Sequence, residues 1–343
     1  MRCKNCNSNK IIKKGLRKSK LQSKQAYQCK NCGKKFTLDS TKTTYPISII
    51  LKSISNYNLG YNLKQTSEKI EKNYKIKAPI STISSWINQY KNVCTFARLR
   101  KEAIKRYNPK NIINKKTLSH IQPYTFKYHE AKLDVLLKEN YQFTSLKDYI
   151  EKINSKTFPH HIFTYNKEEN QNNQRASQIK FNYLDLKKLQ KNNFANKLTK
   201  LSLYLSNSNK GRHETIQNFF LINDSTTMAT EIPVYLTNDD IKYFKKNKFS
   251  LNIENYETPI TGHIDILQIR NGLIHILDYK PHSNKINPVE QLTIYALALA
   301  SRTKLSLSNF KAAWFDENNY FEFYPLHAVY EKQVRMEPIV VAR

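Results

Sequence analysis

Apolar residues dominate the stretch GHIDILQIRNGLIHILDYKP at residues 262–281, and their arrangement predicts a β-hairpin. The two apolar runs flank Asn271-Gly272, a dipeptide that strongly favours a two-residue hairpin turn. Three charged residues interrupt these strands: Asp265 in the first, and Asp278 and Lys280 at the end of the second. A charge among buried residues is costly without partners, so the pattern indicates that these residues share a site.

Similar patterns on either side of the hairpin predict an α/β core with the order α–β–β–β–α–β. The flanking elements expected for this core are a helix over 209–220, a strand over 229–236, a helix over 287–301 and a second hairpin over 310–326. Helical patches are predicted nearer the N-terminus, around 129–153 and 183–205. The polar stretch between them predicts an exposed loop over 166–175.

Apolar residues recur at helical spacing through 46–91, and they predict three helices with breaks at Gly60 and before Pro79. The third helix carries an apolar stripe that includes Trp86, and its other face is polar. Four residues of the polar face are expected to contact DNA: Ser81, Thr82, Ser85 and Gln89. This layout is typical of a helix-turn-helix whose third helix enters the major groove. The alternative is a plain three-helix bundle.

Positive charge is concentrated at the N-terminal end of the chain. The 343 residues carry a formal net charge of +30, and residues 1–117 hold 28 Lys and Arg against 4 Asp and Glu. Residues 118–343 hold 29 against 23. Such a basic module favours a polyanionic partner, most simply DNA. No run of 18 apolar residues predicts a membrane span, and no apolar leader follows Met1, so we expect a cytoplasmic, nucleoid-associated protein.

Two nearly identical cysteine pairs predict a metal site. Cys3 and Cys6 form the first pair, and Cys29 and Cys32 form the second, each with Lys-Asn between them. Four thiolates in two close pairs are typical ligands of a structural Zn²⁺. Cysteines kept reduced in the cytoplasm favour a metal over a disulfide. The alternative is four unrelated thiols, and the fifth cysteine, Cys94, is expected to be a buried small residue.

The N-terminal segment resembles the heads of prokaryotic transposases. The pattern CKNC…QAYQCKNCGKKF is similar to their zinc ribbons, and APISTISSWINQY is similar to the helix-turn-helix domains that follow such ribbons. Short strands between the cysteine pairs, with Tyr27 and Phe36 as a small core, fit a zinc ribbon. The resemblance implies that the ribbon positions the protein on DNA and performs no chemistry.

Four motifs in the C-terminal part resemble the RecB-like branch of the PD-(D/E)xK nuclease superfamily. They are a histidine on the first core helix, GxID on one strand, DYK on the next and QxxxY on the following helix. The matching residues of this chain are His213, Asp265, Asp278, Lys280, Gln291 and Tyr295. The resemblance covers about residues 118–337 and implies a restriction-endonuclease-like α/β core that cleaves DNA.

Phosphodiester cleavage of this type uses Mg²⁺ or Mn²⁺ held by hard oxygen ligands. Asp265, Asp278 and the backbone carbonyl of Tyr279 can supply such oxygens. The resemblance assigns the remaining ligand position to His213, and the neighbouring Glu214 is the alternative. For Asp265 itself, the alternative is a core carboxylate whose partners satisfy it.

The other residues of the motifs are expected to assist the reaction. Lys280 lies on the same strand face as Asp278, so its ammonium can orient the attacking water and offset developing charge. Gln291 and Tyr295 are expected to brace the phosphate or Lys280. The alternatives are a strand-end ion pair for Asp278 and Lys280, and plain helix surface for Gln291 and Tyr295. Glu231 resembles a recurrent position of the branch, or pairs with a basic neighbour.

The sequence therefore predicts a modular DNA endonuclease. Its expected parts are a zinc ribbon at 1–40, a helix-turn-helix domain at 45–92, a basic linker at 93–117 that begins with a helix, and a nuclease domain at 118–337. A mobile element, genome defence, and recombination or repair are the expected settings. The rival hypotheses are a non-catalytic DNA-binding regulator with a degenerate nuclease fold and an RNA-processing nuclease. The oligomeric state is left open, and a dimer is one alternative.

Overall fold

The structure is a computed structural model that describes residues 1–3, 5–18, 23–37, 44–164, 174–184, 186–206, 211–253 and 258–330. Most of the predicted loop at 166–175 lies outside these residues, as does 331–337 of the predicted nuclease domain. The chain forms two compact units. The first holds residues 1–57 and 61–90, and the second begins at Lys91 and also takes in 58–60. Among the described helices, none combines the length and apolar character that crossing a bilayer requires.

The first unit contains an antiparallel three-stranded sheet. Strand β1 (Ile11–Lys18) pairs with β2 (Ser23–Cys29), and β2 pairs with β3 (Lys35–Thr37). The rings of Tyr27 and Phe36 stack with their centroids 6.0 Å apart, so the predicted small core is present. Because so small a sheet buries little apolar surface, a bound metal is the expected source of much of its folding energy.

Three helices follow in the first unit, as the apolar spacing predicts: α1 (Ile47–Asn58), α2 (Leu63–Tyr74) and α3 (Ile80–Tyr90). Asn62 caps the start of α2 in a reciprocal capping box with Gln65, which satisfies two backbone donors at the helix start. Trp86 is buried in α3, and its ring meets that of Tyr45 edge-on at 5.0 Å.

An eight-stranded mixed sheet forms the centre of the second unit. Its strands are β4 (Ile113–Ser119), β5 (Pro123–His129), β6 (Leu189–Gln190), β7 (Thr227–Leu236), β8 (Ile260–Arg270), β9 (Leu273–Tyr279), β10 (Phe310–Phe315) and β11 (Tyr320–Phe323). Their spatial order is β4-β5-β7-β8-β9-β10-β11-β6, and only β9 and β10 run parallel.

The helices of the second unit are α4 (Arg100–Arg106), α5 (Glu130–Glu139), α6 (Thr144–Lys152), α7 (Phe194–Ser202), α8 (Arg212–Asn223), α9 (Asn238–Lys246), α10 (Val289–Thr303) and α11 (Pro325–Val329). The chain order α8–β7–α9–β8–β9–α10–β10 contains the predicted α–β–β–β–α–β order, with the unpredicted helix α9 inserted between β7 and β8. The β8–β9 hairpin turns at Asn271-Gly272, both with positive φ, as its turn type requires. Helix α10 joins the parallel strands β9 and β10 and packs its buried apolar residues into the main core.

Two predictions differ from the structure. Residues 93–117 contain α4, which agrees with the predicted helix, but the linker expected after it holds most of β4, which belongs to the large sheet. Lysines weaken the apolar pattern of β4, and its ladder with β5 is a tertiary feature that overrides this weak pattern. The patch at 183–205 is α-helical only from Phe194, because the two-residue strand β6 precedes α7.

Candidate active site and metal centre

The four cysteines of the first unit converge on one point. Their Sγ atoms all lie within 4.8 Å of one another. The Sγ atoms of Cys3 and Cys32 are 3.6 Å apart, and those of Cys6 and Cys29 are 3.5 Å apart. A tetrahedral Zn²⁺ with bonds of about 2.3 Å separates its sulfur ligands by about 3.8 Å. The cluster therefore has the donors and the spacing to bind a structural zinc ion.

Backbone groups of the second cysteine pair favour the thiolate form. The backbone N–H of Lys34 is the main cause that lowers the pKa of Cys32 to about 6, and the Cys6 thiol adds to this effect. The backbone N–H of Cys32 lowers the pKa of Cys29 in the same way. Because zinc binds thiolates rather than thiols, these contacts favour metal binding by the second pair. In the first pair, the backbone of Ser8 lowers the pKa of Cys6, but burial and the contacts with the other three cysteines together outweigh it and raise that pKa to about 11. Cys94 is buried elsewhere, as predicted.

In the second unit, the β8–β9 ladder places the predicted carboxylates side by side. Ile266 pairs with Leu277, so Asp265 and Asp278 occupy the next positions of the two strands and lie on the same face. The backbone N–H of Tyr279 donates to Asp265 Oδ2 at 3.1 Å. Lys280 Nζ lies 2.8 Å from Asp278 Oδ2. The hairpin thus brings all three of its charged residues together.

The pKa values of the two carboxyl groups are shifted in opposite directions. Burial is the main cause that raises the pKa of Asp278 to about 8, and the negative charge of Asp265 adds to it. Burial also raises the pKa of Asp265, but His213 and Lys280 outweigh burial and leave it lowered. Asp278, which is 2 % exposed, therefore lacks enough positive charge around it to stay fully ionised at neutral pH.

His213, and not Glu214, lies beside the carboxylates. His213 Nδ1 is 3.6 Å from Asp265 Oδ2, whereas Glu214 binds Lys127 Nζ at 2.9 Å. This close contact with Asp265 in turn raises the pKa of His213. Within the described residues, the cysteines form the only group of three or more His, Cys, Asp or Glu whose ligand atoms all lie within 4.8 Å of one another. His213, Asp265 and Asp278 are therefore neighbours, but their ligand atoms do not all lie within 4.8 Å of one another.

Helix α10 presents Gln291 and Tyr295 to the same place. Gln291 Nε2 donates to the Tyr295 hydroxyl at 2.9 Å. Tyr295 is 6 % exposed, so it is not the surface position that was the alternative. Its ring packs on Gly262, where a Cβ atom would meet Tyr295 Cε1 at 2.3 Å. The glycine of the GxID motif is therefore explained by the space that this ring occupies.

A cavity of 560 Å³ joins these residues, and its walls include groups that sequence reasoning left without a firm role. Glu231, opposite Asp265 on β7, accepts a hydrogen bond from Gln217 Nε2 at 2.6 Å. No described basic residue forms an ion pair with it within 4 Å. Burial, followed by the charge of Asp265, raises its pKa to about 7. Glu231 is thus a third carboxyl group of the cavity.

Three histidines form a hydrogen-bonded chain in another wall. His263 Nε2 lies 2.8 Å from His120 Nδ1, and His120 Nε2 lies 3.1 Å from His160 Nδ1. The ring of Tyr124 stacks on His263 at 3.7 Å. Burial lowers the pKa of His120 to about 4 and that of His263 well below its usual range, so these two imidazoles are neutral at pH 7. Because the three histidines lie far apart in the sequence, no local pattern predicted that they would be hydrogen-bonded to one another.

The predicted DNA-contacting residues lie along α3. Ser81, Ser85 and Gln89 are exposed, and Thr82 is half-buried. Trp86 on the other face is 6 % exposed. The helix therefore keeps a polar face available to solvent.

Comparison of the chain with protein-family models, with curated proteins and with solved structures gives no match. The resemblance to PD-(D/E)xK nucleases and to transposase heads remains a prediction. What the structure gives is a four-cysteine cluster suited to zinc and an eight-stranded mixed sheet with helices, compatible with an α/β core.

Proposed function

We propose that the protein is a metal-dependent DNA endonuclease and that the second unit hydrolyses the phosphodiester bond. The observation that carries the proposal is the grouping of Asp265, Asp278 and Lys280 in one cavity. Two carboxylates and an ammonium are the groups needed to hold a hard cation and to face a phosphate. The cavity also receives Gln291 and Tyr295 from α10.

The donor set fits Mg²⁺ or Mn²⁺. Asp265 and Asp278 offer carboxylate oxygens, the Tyr279 carbonyl follows Asp278 in the chain, and His213 Nδ1 lies 3.6 Å from Asp265 Oδ2. Burial and the negative charge of Asp265 raise the pKa of Asp278, and a bound cation would offset both effects. When bound, such a metal supplies Lewis-acid activation of phosphate and water.

The other residues have roles that follow from their contacts. Lys280, held by Asp278, orients the attacking water and offsets the charge that develops on the phosphate. The hydrogen bond from Gln291 fixes the Tyr295 hydroxyl, and this pair braces the phosphate or Lys280. In the first unit, the zinc ribbon and the polar face of α3 grip DNA, which the excess of Lys and Arg in residues 1–117 favours.

A plasmid-nicking assay tests the proposal. Wild-type protein is expected to nick or linearise supercoiled DNA with Mg²⁺ or Mn²⁺ and to stop when EDTA is added. Asp278→Asn and Lys280→Met are each expected to lower the rate by at least about a hundredfold. The matched controls are Asp239→Asn and Lys242→Met, which remove the same charges from exposed positions of α9.

Two outcomes separate the rival functions. Wild-type cleavage no faster than that of the Asp278→Asn, Lys280→Met double variant, with DNA binding retained, would leave a non-catalytic DNA-binding regulator. Faster cleavage of structured RNA than of duplex DNA would point to an RNA-processing nuclease. Cleavage of closed circular as well as linear DNA is the result expected of an endonuclease.

A further inference from the structure

We propose that a second pocket in the second unit binds a phosphate group, separately from the candidate active site. The pocket has a volume of 420 Å³ and lies where β8, β9, β10 and β11 meet the start of α7. It shares no lining residue with the cavity around Asp278. His275, which lines it, is three residues from Asp278 on β9, so their side chains point to opposite faces of the sheet.

The pocket contains more positive than negative charge. Glu322, whose side chain is 3 % exposed, contacts Lys191 Nζ at 2.6 Å and Lys311 Nζ at 2.7 Å, both through the same carboxylate oxygen. Arg270 also lines the pocket, and no carboxylate of the described residues lies within 4 Å of it. Three cations and one carboxylate thus line the pocket, which leaves a local excess of two positive charges.

The pocket also contains an imidazole nitrogen without a described partner and the start of a helix. His275 is 7 % exposed, and its Nε2 has no hydrogen-bond partner among the described residues. Burial, together with the charges of Lys311 and Arg270, keeps the imidazole uncharged at neutral pH by lowering its pKa to about 4. Helix α7 begins at the pocket, since its N-cap Asn193 is a lining residue. Asn193 already caps the Ala195 N–H, so the helix favours an anion here through its dipole.

A phosphate group fits these features better than a carboxylate. It carries up to two negative charges, which match the local excess, and it accepts hydrogen bonds on several oxygens at once. Arg270 can bind it through two parallel N–H groups, and Lys191 and Lys311 each keep donors beyond the one that Glu322 uses. The phosphate comes either from a nucleic-acid backbone or from a free nucleotide.

The test follows the NMR signals of the histidine side chains in the full chain. Protein labelled with ¹⁵N-histidine is titrated with inorganic phosphate at constant ionic strength, and the His275 signal is assigned by its loss in His275→Gln. We expect this signal to shift, and Arg270→Gln to weaken the affinity for phosphate about tenfold. Arg98→Gln removes the same charge from an exposed position and is expected to bind as wild type does.

A second variant is expected to strengthen phosphate binding instead of weakening it. Glu322→Gln keeps the size of the side chain and removes the negative charge, so phosphate is expected to bind more tightly. If that variant fails to fold, Arg270→Gln still decides the question. Titration with a 5′-mononucleotide and with a short oligonucleotide identifies the source of the phosphate. The proposal fails if none of the three ligands moves the His275 signal, or if Arg270→Gln binds phosphate as wild type does.

Discussion

The ring of Tyr295 occupies the space that a side chain at Gly262 would fill. Gly262 precedes Asp265 on β8, and Tyr295 receives its hydrogen bond from Gln291 on α10. This contact therefore sets the distance between the helix and the strand that carries the carboxylate. A larger residue at Gly262 should therefore displace the ring of Tyr295 first.

Gly262→Ala tests this contact. The added methyl group overlaps the ring, so we expect the free energy of unfolding of the second unit to fall by about 1–3 kcal/mol. In a Tyr295→Ala background the same substitution should cost much less, because the ring is gone. Urea denaturation of the four proteins gives the coupling energy directly. Equal losses in the two backgrounds would show that the contact does not limit the site.

Metal content tests the cysteine cluster. We expect about one Zn²⁺ per chain, and its loss in a Cys3→Ser, Cys29→Ser variant, because a tetrahedral site lacking two thiolates cannot hold the ion. Cys94→Ser is the matched control, since Cys94 lies outside the cluster. Elemental analysis after dialysis gives the ratio. DNA affinity should fall with the zinc, and unchanged affinity would remove the positioning role from the ribbon.

A buried lysine of the second unit predicts a pH dependence of stability. Lys132 is fully buried, donates to the Leu221 carbonyl and lies 4.8 Å from the ring centre of Phe96. Burial lowers its pKa from 10.5 to about 7. Between these two values the unfolded chain binds more protons than the folded protein, so stability rises with pH from about 7 to about 10. The gain is on the order of a few kcal/mol.

Lys132→Met isolates that effect, because methionine fills similar space without a charge. Urea denaturation at pH 7 and at pH 9.5 should show wild type gaining stability relative to the variant as the pH rises. Other titrating groups are common to both proteins and cancel in the difference. A constant difference would mean that Lys132 reaches solvent or a counter-charge when the pH is low.

Glu231 offers a test of the proposed metal site that leaves the ligands intact. Its charge adds to that of Asp265 in the same cavity, so Glu231→Gln should weaken the attraction for a divalent cation. We expect the Mg²⁺ concentration for half-maximal cleavage to rise about three- to tenfold. Asp239→Asn on α9 is the control for general charge. No change in the Mg²⁺ requirement would place Glu231 outside the field of the metal.

Local sequence patterns were sufficient to predict the strands, helices and turn that carry the motifs. The Asn271-Gly272 turn fixes the register of β8 and β9, and that register decides that Asp265 and Asp278 share a face. The cysteine pairs likewise specify their cluster, because the spacing within each pair is short and the antiparallel strands β1 and β2 join the pairs. In both cases the decisive information lies within a few residues of the chemistry.

Other parts of the site depend on contacts between distant segments. The pairing of β4 with β5, which brings His120 to His263, has no strong apolar alternation in the sequence. Glu231 meets Asp265 only through the β7–β8 ladder. These neighbours are set by the order of strands in the sheet, which a pattern within one element does not encode.

The two ends of the large sheet have a consequence for concentrated solutions of the protein. At one end β6 is only two residues long, and at the other end β4 exposes Lys115, Thr117 and Ser119. A short edge and a polar, charged edge are both poor templates for a strand from another molecule. Aggregation through strand addition is therefore disfavoured at β4 and β6, the outermost strands among the described residues.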